Sequence, residues 1–148
     1  MALRPDRNEH LTDLSFFMNE TAERGVIVTA ATQGSGAAMD DSAAAVQVAN
    51  AIAEKPVGLL LNDVVNLDLT RQHINYAKDE VQQGSKVLLL RVGTVTTDQI
   101  SGSITMGAAA HFMSDGTLAT GSTASIQVGR FLSKKDADGF AKVAINIQ

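Results

Sequence analysis

The sequence predicts an all-β protein: a small β-barrel or β-sandwich body over residues 25–148, preceded by an extended N-terminal arm over residues 1–24. Three observations carry that prediction. Apolar runs of strand length recur along the chain with glycine-containing turns between them. The apolar content is mainly Ala, Val, Leu and Ile, with 4% aromatic residues and no tryptophan, which suits packed sheets better than an aromatic-lined pocket. Helical spacing competes with strand spacing in one stretch only, residues 70–83. At 148 residues the chain suits one domain that buries roughly 70% of the surface exposed by its unfolded form.

The elements follow in order. Residues 1–24 carry mixed charges, Pro5 and a short apolar cluster, Leu11, Leu14, Phe16, Phe17 and Met18. A frayed terminus, a short helix on the body and an arm that grips a neighbouring chain are the three forms open to them. The arm is preferred, because exposed adjacent phenylalanines need somewhere to go. Val26 to Thr29 is a β-branched run, followed by the glycine-containing turn Gly34-Ser35-Gly36. Val46 to Ala49 alternates. Val57 to Leu61 reads as a buried strand entered through Pro56, where the missing N–H matters least.

Lys86 to Val95 is the clearest strand, a continuous apolar run too short for a typical helix and preceded by Gly84-Ser85. Ala108 to Met113 and Thr117 to Thr120 flank Ser114-Asp115-Gly116, a strong hairpin signal because Asp and Gly tolerate positive φ. Ile126 to Leu132 and Phe140 to Ile147 flank Asp136-Ala137-Asp138-Gly139. In the latter strand Ala141, Val143, Ile145 and Ile147 alternate with Lys142 and Asn146, one face in and one face out. Residues 70–83 fit either a helical stripe stopped by Gly84 or a strand face, and are expected to be irregular or extended with one helical turn at most.

Composition excludes several functions. Without cysteine there are no disulfides, thiolate nucleophiles or cysteine zinc sites. A net charge of −4 and scattered basic residues argue against nucleic-acid binding. The N-terminus carries charges where a signal peptide is apolar, and no run approaches bilayer-spanning length, so no membrane association is expected.

Candidate chemistry is sparse. His10, His73 and His111 lie far apart, and no serine occupies a G-x-S-x-G elbow. Gly34-Ser35-Gly36 lacks the third glycine of a dinucleotide loop and is followed by Asp40-Asp41, which would repel an anion. Asp136-Ala137-Asp138-Gly139 resembles half of an EF-hand loop. However, residue 134 is Lys, and Ile145 stands where the distal glutamate belongs. No catalytic residue, cofactor or metal is expected, and the aspartate loop is read as a hairpin turn.

The order of motifs carries a resemblance. V-G-L-L-L (Val57 to Leu61), N-D-V-V-N-L-D-L-T-R-Q-H-I-N (Asn62 to Asn75), D-E-V-Q-Q-G-S-K-V (Asp79 to Val87), G-A-A-A-H-F-M-S-D-G (Gly107 to Gly116) and V-G-R-F-L-S-K-K-D-A-D-G-F-A-K-V (Val128 to Val143) resemble the capsid decoration, or cement, proteins of tailed bacteriophages. The resemblance runs from about Gly25 to the end and includes the repeated V-G at Val57-Gly58 and Val128-Gly129. It implies a non-enzymatic homotrimer, made in the host cytoplasm and bound to the outer surface of the virion head. Its expected partner is the major capsid protein, gripped by the arm through Leu11, Leu14, Phe16 and Phe17. A virion fibre or carbohydrate-binding β-module is the alternative; it is short of aromatic platforms, with Tyr76, Phe112, Phe131 and Phe140 the only aromatic residues in the body. A small trimeric nucleotidohydrolase ranks lower, lacking the acidic and glycine-rich motifs of such enzymes.

Overall fold

The computed structural model describes residues 2–31, 44–64, 79–121 and 125–148. The expectations placed on Gly34-Ser35-Gly36, Asp40-Asp41, residues 70–78, His73 and Tyr76 fall outside the described residues. Among the described residues the chain forms strands and no α-helix: β1 (Asn8–Met18), β2 (Ala22–Glu23), β3 (Ile27–Ala30), β4 (Ala45–Val48), β5 (Pro56–Val64), β6 (Glu80–Val81), β7 (Lys86–Thr97), β8 (Ala109–Phe112), β9 (Leu118–Ala119), β10 (Gln127–Phe131) and β11 (Ala141–Asn146).

Strand β7 organises the whole. Along one edge it pairs with β1, from Phe17 opposite Lys86 to Asn8 opposite Thr94. Its other edge is shared: the first half pairs with β5, Leu59 opposite Leu90, and the second half with β11, Val143 opposite Val95. From β5 the pairing continues through β3 and β4 and returns to β1, where Phe17 meets Ala45 and Met18 meets Val46 in parallel. These five strands close a ring. From β11 a second layer runs outward through β10 and β8 to β9.

Two cores result, one on each face of the strands between them. Met18, Val28, Val46, Leu60, Val87 and Leu89 fill the ring together with the partly buried Phe16. Ile27, Leu59, Leu61, Leu90 and Val95 pack instead against Phe112, Leu118, Val128, Phe131, Val143 and Ile145 of the second layer. Successive residues of a strand point to opposite faces. Leu59-Leu60-Leu61 and Leu89-Leu90 therefore alternate between the two cores, which is why these runs are continuously apolar. In β11 only one face is covered, and Lys142 and Asn146 are exposed while Val143 and Ile145 are buried.

The turns obey their sequence chemistry. At Gly116 φ is +78°, Asp115 Oδ1 accepts from the Thr117 amide at 3.0 Å, and the Gly116 carbonyl accepts from the Ile27 amide at 2.8 Å. This hairpin tip is thereby seated on β3. The V-G pairs have a steric origin. A Cβ on Gly58 would lie 3.0 Å from the Leu89 side chain, and one on Gly129 would overlap the Ala144 carbonyl. Both glycines let neighbouring strands close up.

The N-terminal segment, read from sequence as an arm, lies in the sheet. Leu3 is buried in the core beneath the second layer and bridges to Thr97, while the Arg4 amide donates to the Thr96 carbonyl at 3.0 Å. Of the ambiguous stretch, Glu80 and Val81 form the short strand β6 against β2.

Candidate functional site

Strand β1 presents an exposed apolar pair. Leu11 retains 48% and Leu14 44% of its full accessibility, whereas Met18 at the end of the same strand is completely buried. In a regular strand, residues three apart face opposite ways. Here the pairing with β7 slips on both sides of Leu11 and again between Asp13 and Phe16. Asp13 Oδ1 holds the last irregularity, accepting from the Ser15 amide at 2.8 Å and from the Ser15 hydroxyl at 2.5 Å. A bulge of this kind redirects side chains and blunts a sheet edge against uncontrolled pairing. Among the described residues, β1's other edge is paired only at Phe17 and Met18, by β4.

The four residues expected to dock are thus divided. Leu11 and Leu14 face outward, Phe16 is partly buried against the core inside the ring, and Phe17 is half-buried between its partners Ala45 and Lys86. Three further exposed apolar residues have no sequence signal that separates them from core positions: Met106 at 66%, Leu132 at 41% and Ile126 at 39%. The turn carrying Met106 is tied to β10, the Gly107 amide donating to the Phe131 carbonyl at 2.8 Å, one residue before Leu132. The β1 pair and the Met106–Leu132 corner lie on opposite sides of β7 in the pairing order, because β1 takes one edge of β7 and β11 the other.

The aspartate loop is a closed hairpin tip. Asp136 Oδ1 accepts from the Asp138 and Phe140 amides, each at 2.9 Å, and the Gly139 amide donates to the Asp136 carbonyl at 3.1 Å. Arg4 clamps the tip, reaching Asp136 at 3.0 Å and Asp138 at 3.4 Å, with its guanidinium 4.2 Å from the Phe140 ring centre. Solvent screens exposed contacts of this type, so they hold the tip in place more than they stabilise the fold. The carboxylates are spent on backbone and Arg4, as a turn requires.

Chemical groups elsewhere are dispersed. His111 Nδ1 lies 3.0 Å from the Ser125 carbonyl, and His10 is on β1 at the far side of β7. Among the described residues no group of three or more His, Asp or Glu is arranged to hold a metal. Phe112 and Phe131 are completely buried and Phe140 is half-buried under Arg4, so none of them offers a flat platform for a sugar ring.

Among the described residues four carboxyls are held below their ordinary value of 3.8: Asp13 by the Ser15 hydroxyl, Asp115 by the Thr117 hydroxyl, Asp136 by the Phe140 amide and Asp79, against the raising effect of burial, by the Ala2 amide. A depressed folded value means that each stabilises the fold above the unfolded value, and that this contribution is lost as pH falls through the folded one. The urea midpoint is accordingly expected to fall below about pH 4. Combining Asp115→Asn with Asp136→Asn should flatten that fall; an unchanged acid slope would show that these turns do not control it.

The family model of the structural cement proteins, described by E217 gp24 and Pam3 gp6, matches residues 11–146. That span contains nearly all of both layers. Among solved structures the chain is similar to the N base of the head fiber gp8.5 of bacteriophage phi29, with a TM-score of 0.57 and 10% identity over 95% of this chain and 94% of that one. At that identity the likeness is one of fold. No curated protein sequence matches.

Proposed function

The chain belongs to the phage structural cement protein family, and from that premise we propose that it binds the outer surface of a phage head and reinforces it by bridging neighbouring major capsid protein subunits. The observation that supports bridging is the pair of separated apolar patches. A cement must touch two bodies at once, and the Leu11–Leu14 ridge and the Met106–Leu132 corner are carried on opposite sides of β7. Contact by the N-terminal segment is then made in place, by the ridge on β1. Modest contacts suffice on a repeating lattice, since linking several in one particle multiplies affinity without a deep hot spot. A homotrimer would multiply them further.

The test uses two surface variants, Leu11→Ser with Leu14→Ser and Met106→Ser with Leu132→Ser, bound to purified heads lacking the protein. Substitutions at exposed sites usually alter stability by no more than about 0.5 kcal/mol, so both should melt like wild type. Each is expected to reduce occupancy, read by sedimentation of the loaded heads, and to reduce the heat resistance that the protein confers. Full occupancy and full protection by both variants would sink the bridging proposal.

The likeness to a head-fiber base favours a second reading, in which the body anchors a fibre. An anchor needs one patch on the head. Loss of binding from one variant pair with wild-type occupancy and protection from the other would favour that reading.

A further inference from the structure

We infer that the Asp138–Gly139 bond is a site of spontaneous backbone isomerisation, and that the fold directs this chemistry to Asp138 while sparing Asp115. The whole sequence contains two aspartyl-glycyl bonds, at these two positions. Glycine as the following residue leaves the attacking amide nitrogen unshielded, so both sites carry the same intrinsic chemistry. Their surroundings differ.

At Asp115, one carboxylate oxygen accepts from the Thr117 amide at 3.0 Å and from the Thr117 hydroxyl at 2.6 Å. Gly116 is buried; a Cβ there would lie 2.8 Å from the Val48 side chain and 3.0 Å from the Ile27 carbonyl. Its amide donates to the Met113 carbonyl at 3.0 Å. Swinging that carboxyl toward the Gly116 nitrogen would break the hairpin and unseat it from β3. At Asp138 the side chain is 78% exposed and its carboxylate meets Arg4 at 3.4 Å, the long limit of such a contact. Nothing lies within 4 Å of where a Gly139 Cβ would stand. The Gly139 amide has one bond to release, to the Asp136 carbonyl at 3.1 Å, and exposed turns open at low free-energy cost.

The step balances with water alone. The Gly139 nitrogen attacks Cγ of the Asp138 carboxyl, protonated from solvent; a C–N bond forms, the C–OH bond breaks, and the hydroxyl leaves as water with the amide proton, closing a five-membered succinimide. Water then opens the ring. Attack at the main-chain carbonyl leaves the chain running through Cβ and Cγ, with the mass unchanged and one atom added to the backbone. The turn lengthens and the free carboxylate moves to Cα, so the contact with Arg4 is rebuilt or lost. The Arg4 clamp on the N-terminal segment would loosen as the protein ages.

The intact chain is aged in neutral buffer, digested and separated, and each peptide is tested for methyl acceptance by a protein-isoaspartate methyltransferase. The expected result is a growing peptide of equal mass and shifted retention that spans Asp138 and accepts methyl groups, with none spanning Asp115. Asp138→Glu, whose longer side chain disfavours the five-membered ring, should abolish the signal. In denaturant both sites should convert alike. Conversion at Asp115 in the folded chain, no conversion at Asp138, or a difference between the sites that survives in denaturant would overturn the inference.

Discussion

Replacing Gly129 by alanine is expected to lower the stability of the chain by about 3 kcal/mol or more, the range reached when a side chain is forced into space already filled. Gly129 stands in β10 opposite Ile145 of β11 and Ala110 of β8. Its backbone has an ordinary strand conformation, so the glycine is required for space alone. An added Cβ would overlap the Ala144 carbonyl oxygen and press on the Ile145 Cα. Both obstacles are backbone, and neither can rotate away as a side chain would. Relief requires β10 to withdraw from β11, and Val128 and Phe131, the β10 anchors of the outer core, would move with it. Urea unfolding of the single variant measures the cost. A midpoint equal to wild type would show that the two strands separate freely, which would contradict the packing of the second layer.

Removing residues 1–18 should prevent folding rather than produce a well-folded body that fails to dock. The segment carries Leu3 into one core and Met18 into the other, both essentially inaccessible to solvent. Each such side chain is worth about 1.5–3 kcal/mol when buried, and the removal also strips one whole edge of β7 of its hydrogen-bonding partner. The ring opens at β1, since that strand joins β7 to β4. Against a total stability of about 5–15 kcal/mol, these losses leave little. The expected product is aggregated or lacks a cooperative melting transition. A truncated chain with a native-like transition would show instead that residues 1–18 are an appendage. For this reason the docking role proposed for Leu11 and Leu14 is tested by substitution at the surface, where the fold is not at stake.

Much of the sheet was legible in particular residues. Leu59-Leu60-Leu61 and Leu88-Leu89-Leu90 announce strands buried on both faces, Lys142 and Asn146 mark the exposed face of β11, and the two Asp-Gly pairs mark hairpin tips. Local rules suffice there, because alternation and positive φ are properties of a few neighbouring residues. The N-terminal segment was harder. Its mixture of Leu11, Leu14, Phe16 and Phe17 among polar residues follows no regular period, since slips against β7 divide the four between solvent and core. No pattern confined to residues 8–18 encodes those slips; they exist only relative to the partner strand.

The candidate docking surface shows the same limit. Met106 and Leu132 are apolar residues in or beside strands, and their sequence neighbourhood does not separate them from buried Leu118 or Phe131. What exposes them is the absence of a third layer over that corner among the described residues. The V-G repeat was visible as a repeat, yet its cause, close approach of β7 to Gly58 and of β11 to Gly129, lies between segments distant in the chain.

By itself the sequence determined that this is an all-β chain of short strands, where its main turns fall, and which family it resembles, because each rests on local spacing or on the order of motifs. Tertiary structure alone decided that β7 serves two layers, that residues 8–18 close a ring, and that two pairs of exposed apolar residues fall on opposite sides of β7 in the pairing order. Those outcomes depend on which strands become neighbours, and hydrophobic burial selects the pairing that fills both cores, a property of the assembled chain.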